Sequence, residues 1–270
     1  MTTEEFNQIV EEAHSEPIAT PTPTEVDIKE YLIDNTAARF SSAEWLETMR
    51  KTAIEIAGLG GIGSWTSLLI SKLQPATLTV VDRDVIESVN IGGQFYSCND
   101  IGVAKASAIS NMLTTFSNYY RTVAKKIDIK DLSYLSGGIA ICGFDNMKAR
   151  KIYFNYFKNH IQHLPLDMRS KLLYIDGRLA AEELQVFAIS GDDTYHLDKY
   201  EKEYLFSSEE AERTICSYKQ TSYCASMIGS IITNIVVNFL TNLNKPIMPR
   251  DVPFYTMYNA SLMYFKTSNE

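Results

Sequence analysis

The chain has 270 residues, of which 45% are hydrophobic and 21% charged, a composition typical of a soluble globular protein with one large α/β domain or two small ones. Its formal net charge of -8 disfavours nucleic-acid partners, because a phosphate backbone attracts clustered Lys and Arg. No stretch approaches the roughly 20 uncharged apolar residues of a membrane span, and residues 1–13 lack the basic and apolar regions of a signal peptide, so we expect a cytoplasmic protein without a membrane partner.

The N-terminal region is predicted to lie outside the main fold. Residues 15–25, SEPIATPTPTE, hold three prolines among small polar residues, which is typical of an extended linker. Residues 1–25 are therefore predicted to be a flexible tail, and residues 26–270 to form one domain. From Ile28 to Arg50 the apolar residues recur at helical intervals, which predicts two short helices.

The next segment predicts a βαβ unit. A buried strand begins at Ala53, and a glycine turn leads into an amphipathic helix from Ile62 to about Leu73. A second apolar strand covers Ala76 to Val81. The unit spans about 30 residues, which is the usual length of a parallel crossover.

The alternation of strands and helices continues beyond this unit. A helix from Lys105 to about Phe116, a weak strand at 121–127 and the apolar run GIAICGF from Gly138 follow in order. This alternation predicts an α/β fold with a Rossmann-like, mostly parallel sheet and helices on both faces.

The second half predicts a smaller antiparallel strand extension. After an aromatic-rich helix come two short strands, KLLYIDGR and LQVFAIS, and then an acidic stretch at 191–213 that we interpret as a solvated crossover loop. A long apolar helix from Ser222 to about Leu243 and a strand pair in PFYTMYNASLMYFK follow. The aromatic residues of the first helix have helical spacing and are expected to pack inward: Tyr153, Phe154 and Phe157.

The cysteines and histidines predict neither disulfides nor a zinc site. Four cysteines are too few for a disulfide framework, and none forms a CxxC pair. His160 and His163 have only Asp167 nearby, which is too few ligands for tetrahedral zinc. Reduced thiols are expected, with Cys98, Cys142 and Cys224 packed in the protein and Cys216 in a loop.

A glycine-rich turn predicts an anion site. GLGGIGS, Gly58 to Ser64, follows a strand and opens a helix, where bare backbone and unpaired N–H groups accept a phosphate. Glycines also serve tight turns for backbone reasons alone. Asp82 stands about twenty residues further on, at the end of the next strand, where an acid can bind ribose hydroxyls. These two features alone equally suit an NAD-dependent oxidoreductase.

The following residues resemble the ThiF/MoeB superfamily, to which ubiquitin-activating enzymes belong. Its members have GxGGxG, then DxD, NxxRQ and a D(I/V)G…K segment, and FDNMKARK is similar to a later family motif. The resemblance is specific from Thr52 to Ala149 and looser through 150–270, which implies a nucleotide-binding half and a substrate and dimer half. The matching positions are Asp82, Asp84, Asn90, Gln94, Gly102, Lys105 and Asp145.

This resemblance implies ATP-dependent adenylation. Family members bind ATP with Mg²⁺ and let a carboxyl terminus attack the α-phosphate, so the protein orients groups and neutralises charge. It implies the cofactor-binding residues Gly58, Gly60, Gly61, Gly63, Asp82, Asp84, Lys105 and Asn146. It also implies the catalytic residues Asn90, Gln94, Lys105, Asp145 and Cys216, with Asp145 on Mg²⁺ and Asp82 on ribose. The implied partners are a ubiquitin-like or sulfur-carrier protein or peptide ending in Gly, and a second copy in a homodimer.

One position departs from the family pattern. Gly93 stands where NxxRQ has an arginine, and loss of one preorganised donor slows such chemistry about 10² to 10³-fold. Three explanations stay open: an arginine enters from elsewhere, the glycines widen the site, or the protein is a nucleotide-binding adaptor or inactive half of an activating complex. The candidate arginines are Arg39, Arg83, Arg150 and Arg178. Cys216 is a candidate acceptor of the activated carboxyl group, and a loop cysteine without chemistry is the alternative.

Overall fold

A computed structural model describes residues 36–206 and 220–270. The predicted tail at 1–25 and Cys216 lie outside the described residues. The helices are α1 (Leu46–Lys51), α2 (Gly61–Lys72), α3 (Lys105–Ser117), α4 (Met147–Gln162), α5 (Leu166–Arg169), α6 (Thr194–Lys199) and α7 (Ser222–Leu243). The strands are β1 (Ala53–Ala57), β2 (Thr77–Val81), β3 (Thr122–Lys125), β4 (Ile139–Cys142), β5 (Leu173–Ala180), β6 (Glu183–Ser190), β7 (Tyr255–Asn259) and β8 (Tyr264–Ser268).

The strands form one sheet in the order β3-β2-β1-β4-β5-β6-β7-β8. Pairing is parallel from β3 to β5 and antiparallel from β5 to β8. This confirms the predicted α/β fold with a mostly parallel sheet and an antiparallel extension. The chain runs outward from β1 through β2 to β3 and then returns to β4 on the other side of β1, so the strand order reverses between β1 and β4. Open α/β sheets bind ligands at the carboxyl edge of such a reversal.

Helices cover both faces of the sheet and create two apolar cores. Helices α2, α3 and α7 supply one core, and α4 and α6 supply the other. The inward packing of the aromatic stripe is confirmed, because Tyr153, Phe154 and Phe157 are all buried in the second core.

The prediction that no segment has the length and composition of a membrane span was wrong for helix α7. Its 22 residues carry no charged side chain and are long and apolar enough to cross a membrane by that measure. The helix packs against α2 and the sheet instead, with Ile228, Ile232 and Val236 buried in the first core. A methyl group at Gly229 would lie 3.1 Å from the backbone nitrogen of Thr66, so the two helices approach backbone to backbone. Core packing accounts for the apolar character of α7.

Two further predictions were wrong in detail. The acidic stretch is not simply a solvated loop, because α6 and a π-helical turn at Tyr200–Tyr204 occupy it and bury Leu197 and Tyr200. Residues 207–213 of that stretch lie outside the described residues. Cys98 is exposed, since it begins a one-turn 3-10 helix on the surface, whereas Cys142 and Cys224 are buried as predicted.

Candidate active site

The glycine turn is held tightly at the carboxyl ends of β1 and β4. Gly58 has φ of +87°, and a methyl group there would lie 2.8 Å from the backbone of Gly143 and Phe144. A methyl group at Gly63 would lie 2.0 Å from the carbonyl oxygen of Gly58. Both positions therefore require glycine for packing. The turn leads directly into the N-terminus of α2, where backbone N–H groups have no helical partner.

Asp82 fastens this turn to the end of β2. Its two carboxylate oxygens accept the backbone N–H groups of Leu59, at 2.7 Å, and Asp84, at 2.8 Å. The residue is only 8% exposed. Burial raises the pKa of its carboxyl group, and the two hydrogen bonds oppose that shift. The side chain thus organises the loop as well as offering further oxygen lone pairs to a ligand.

Asp84 and Lys105 form an acid-base pair beside the turn. The Nζ of Lys105 lies 3.4 Å from Oδ2 of Asp84. The lysine is buried to 7% exposure, whereas the Asp84 side chain is 55% exposed. The backbone N–H of Lys105, at the start of α3, also donates to the carbonyl oxygen of Asp84 at 2.9 Å. The structure therefore brings together three residues predicted from sequence: Asp82, Asp84 and Lys105.

The loop containing Asn90, Gly93 and Gln94 is tied to α2. The indole N–H of Trp65 donates to the carbonyl oxygen of Gly93 at 3.3 Å, and Ser64 Oγ accepts the N–H of Phe95 at 2.9 Å. Asn90 uses its side-chain oxygen to accept the N–H of Glu87 at 2.9 Å. Part of the Asn90 carboxamide is therefore engaged in capping its own loop.

Gln94 faces the turn with an open acceptor. Its Nε2 lies 4.0 Å from the place a methyl group would take on Gly60. Among residues 36–206 and 220–270, its buried Oε1 has no hydrogen-bond partner. A buried polar atom without a partner is costly, so this oxygen is suited to accept a hydrogen bond from a ligand that enters the cleft between the glycine turn and the loop of Gly93 and Gln94.

Gln220 is a cleft residue that the sequence analysis missed. A methyl group on Gly61 would lie 2.2 Å from its Oε1, and one on Gly93 would lie 3.2 Å from its Cγ. Its side chain thus fills the space that these two glycines leave. No sequence pattern indicates this position, because Gln220 belongs to no motif and only the fold brings it to the start of α2.

Asp145 and Asn146 follow β4 at the same edge of the sheet. Asp145 is exposed. Asn146 caps α4 by accepting the N–H of Ala149 at 2.9 Å, and its amide donates to Asp145 at 3.2 Å. The structure gives Asn146 a capping function, and its predicted contact with nucleotide stays a prediction.

Two of the candidate arginines are engaged by one buried acid. Asp176 of β5 is fully buried and accepts hydrogen bonds from Arg150, from Arg178 Nε at 2.7 Å and from the Tyr200 hydroxyl at 2.8 Å. Burial lowers the pKa of the Arg150 guanidinium, but the interactions with Asp176, Cys142 and Tyr200 together exceed that effect, so the net pKa is raised. This buried network, Arg150-Asp176-Arg178-Tyr200, links α4, β5 and the π-helical turn, and a contact of either arginine with nucleotide stays a prediction.

The other two candidate arginines are exposed. Arg83 pairs with Asp128 at 2.5 Å, and its Nε lies 3.6 Å from Asp84. Its side chain is 68% exposed, so it can reorient toward a ligand held by Asp84. Arg39 lies in the short 3-10 helix Ala38–Phe40.

Comparisons with known proteins agree with this architecture. The sequence model of a protein family described as the ThiF family matches residues 33–269 of this chain. The chain is similar to ubiquitin-like modifier-activating enzyme 5 of Drosophila sechellia, with 27% identity over 121 residues that cover 38% of this chain and 30% of that protein. The match thus spans about 30% of the length of this curated relative.

Solved structures share the fold. Escherichia coli MccB with MccA-N7isoASN superposes with a TM-score of 0.65 at 15% identity, covering 92% of this chain and 80% of that one. The Escherichia coli tRNA N6-threonylcarbamoyladenosine dehydratase TcdA, in complex with ATP, has a TM-score of 0.58 at 13% identity, covering 79% and 95%.

Proposed function

Because the chain belongs to the ThiF family, we propose that it is an ATP-dependent adenylyltransferase acting on the C-terminal carboxylate of a ubiquitin-like or sulfur-carrier protein or of a peptide. A carboxylate oxygen attacks the α-phosphorus of ATP. The bond from that phosphorus to the oxygen bridging the β-phosphate breaks, and pyrophosphate leaves with the bonding electrons. An acyl-adenylate remains.

The observation that carries this proposal is the convergence at the β1/β4 reversal. The bare turn at the start of α2, the exposed carboxylate of Asp84 and the ammonium of Lys105 lie together there. A helix N-terminus and a buried cation stabilise phosphate oxygens. The acids suit ribose hydroxyls, with Asp84 offering the more accessible oxygens and Asp82 holding the turn in place.

Adenylation requires the protein to orient the carboxylate and the triphosphate and to neutralise their negative charge. Carboxylate and triphosphate are both anionic, so their approach requires positive potential that is fixed in advance. Lys105 supplies a full charge at low exposure, where water screens it little. Gln94 offers a carboxamide to phosphate oxygens without adding charge.

Mg²⁺ fits this site only as an ion carried by the nucleotide. Within the part of the chain that the structure describes, no group of three or more His, Cys, Asp or Glu side chains forms a metal cage. Mg²⁺ is commonly bound by one or two carboxylates together with substrate phosphates and water, and we propose that Asp145 would contribute one of them. When bound, the ion neutralises charge on the leaving pyrophosphate.

The substrate tail and the next step are further parts of the proposal. The name of the Drosophila relative and the MccA-N7isoASN in the MccB structure support a protein or peptide partner. We propose a partner that ends in glycine, because a glycine tail is slim enough to reach the cleft. Transfer of the acyl group to Cys216 and assembly as a homodimer stay predictions.

Pyrophosphate exchange tests the adenylation step. With ATP and candidate carboxyl-terminal peptides, the wild-type protein should move labelled pyrophosphate into ATP, because adenylate formation is reversible. Asp145→Ala should lower the exchange rate by about 10²-fold or more, since it removes a group that stabilises charge in the transition state.

Asp167→Ala is the matched control. Asp167 is an exposed acid in α5, which precedes β5 and so lies at the opposite edge of the sheet. Its replacement should leave exchange unchanged. Equal exchange by wild type and Asp145→Ala, or no exchange with any glycine-ended partner, would contradict the proposal.

A nucleotide-binding adaptor is the second candidate function. Gly93 favours it, because the loop offers no cation at that position. Such a protein would bind ATP without exchanging pyrophosphate, and the same pair of measurements separates the two functions.

A further inference from the structure

We propose that Gln220 is a nucleotide-positioning residue whose carboxamide donates a hydrogen bond to a phosphate oxygen of the bound nucleotide. The inference rests on the proposed function and adds a residue that lies outside the recognised motifs. Its basis is the place of the side chain in the cleft.

The carboxamide lies at the start of α2. Its Oε1, Cδ and Nε2 lie 2.2, 2.8 and 3.0 Å from the position of a methyl group on Gly61, and Nε2 lies 3.3 Å from that on Gly93. Gly61 opens α2 and Gly93 belongs to the loop that Trp65 holds. The Gln220 carboxamide therefore lies between the helix N-terminus and this loop, where an entering anion meets it.

The backbone around Gln220 is fixed from two directions. Residue 220 forms an isolated parallel bridge with Ala181, in the turn between β5 and β6. One helical turn later, the Tyr223 hydroxyl donates to Glu182 of the same turn. Helix α7 begins at Ser222 and packs along α2. These contacts fix the point from which the Gln220 side chain extends before the ligand arrives, which lowers the entropy cost of binding.

The carboxamide makes no hydrogen bond to the other described residues, 36–206 and 221–270. Gln94, on the other side of the turn, likewise has a buried Oε1 without a partner there. Two carboxamides thus flank Gly60 and Gly61, and the amide nitrogen of each carries two N–H groups of the kind that bind phosphate oxygens.

Small residues at 61 and 93 are what make room for this side chain. An arginine at 93 would start from a Cβ only 3.2 Å from Gln220 Cγ. The side chains at 93 and 220 therefore compete for the same space. Because position 93 is glycine, the uncharged carboxamide of Gln220 occupies the space that an arginine side chain at 93 would enter.

Nucleotide binding can be followed with a tryptophan of the site itself. The chain has two tryptophans, and in Trp45→Phe only Trp65 reports. Its indole is bound to the Gly93 carbonyl, so ATP in the cleft should change its fluorescence. The dissociation constant is measured for Gln220, for the similarly sized Gln220→Leu and for Gln220→Glu.

Gln220→Leu should weaken ATP binding about 10-fold, because a hydrogen bond to a charged group is lost while the volume is kept. Gln220→Glu should weaken it further, through repulsion between the carboxylate and phosphate. AMP and ATP should be affected differently if the contact is to the β- or γ-phosphate, and equally if it is to the α-phosphate. Either pattern supports the proposal and identifies the phosphate.

Coupling to Gly93 gives a second readout. Gly93→Ala should weaken binding by displacing Gln220, and this loss should vanish when Gln220 is already Leu. Gly92→Ala is the matched control, because a methyl group there meets nothing within 4 Å.

Three outcomes would overturn the proposal. Equal ATP affinity for Gln220 and Gln220→Leu would show that the side chain only packs. Tighter binding by Gln220→Leu would show that the carboxamide merely fills the cleft until nucleotide displaces it. Absence of any ATP binding by the wild-type chain would overturn the proposed function together with this inference, whereas the first two results leave the proposed function standing.

Discussion

Replacing Asp176 by Asn should destabilise the protein more than any surface substitution. The buried carboxylate holds two guanidinium groups and a tyrosine hydroxyl. Asn keeps the shape but removes the charge, which leaves Arg150 and Arg178 facing each other at low exposure. Removing one partner of a buried ion pair costs about 3–5 kcal/mol.

That loss is large relative to the total stability. Domains unfold with about 5–15 kcal/mol, and for a chain of this size each kcal/mol shifts Tm by about 2–4 °C. Asp176→Asn should therefore lower Tm by about 6–20 °C. Urea unfolding followed by circular dichroism gives the corresponding free energy.

Asp128→Asn is the matched control. Asp128 also pairs with an arginine, but the Arg83 side chain is 68% exposed, and water and salt screen such surface pairs so that they add little stability. In Asp176→Asn, an additional Arg150→Met should cost less than it does in the wild type, since it removes an uncompensated charge. A loss below about 1 kcal/mol for Asp176→Asn would refute the assignment of Arg150 and Arg178 to a structural network.

Three other predictions follow from the contacts of single residues. Asp82→Asn should lower the free energy of urea unfolding by about 1–3 kcal/mol, because the single amide oxygen takes the place of two carboxylate oxygens that accept the N–H groups of Leu59 and Asp84; an unchanged free energy would contradict the stabilising function of these two hydrogen bonds. In the Cys216→Ser variant, iodoacetamide should label the exposed Cys98 in the native state but Cys142 only in denaturant, since Cys142 is buried and burial raises the pKa of its thiol to about 12. Mass spectrometry measures the labelling of each cysteine, and equal labelling of the two in the native state would contradict this prediction. Burial raises the pKa of Tyr153, Tyr174 and Tyr200 well above 10, so the unfolded chain releases these protons first. Stability should be complete below about pH 10 and fall as the pH rises above it; a flat urea midpoint across that range would be inconsistent with buried, protonated tyrosines.

Much of the architecture is encoded in short segments. The apolar runs at β1, β2 and β4 and the alternation with helices predicted the parallel sheet, because strand and helix periods are local properties of a sequence. The helix α7 was placed at its observed start and end for the same reason. The family motifs predicted Asp82, Asp84 and Lys105 as neighbours, since all three follow strand ends or open a helix at one edge of the sheet.

Other features depend on contacts between segments that are far apart in the chain, and these contacts exist only in the folded protein. The acidic stretch has the composition of a loop, and its helical structure depends on the packing of Tyr200 beside Asp176. Arg150 and Arg178 are charged residues near strand ends, and nothing local distinguishes a phosphate contact from a buried ion pair. Gln220 reaches Gly61 and Gly93 because α7 packs along α2 and starts at the same edge of the sheet. Periodicity and spacing fix which elements form, whereas the partner of a polar side chain is set by which distant elements pack together.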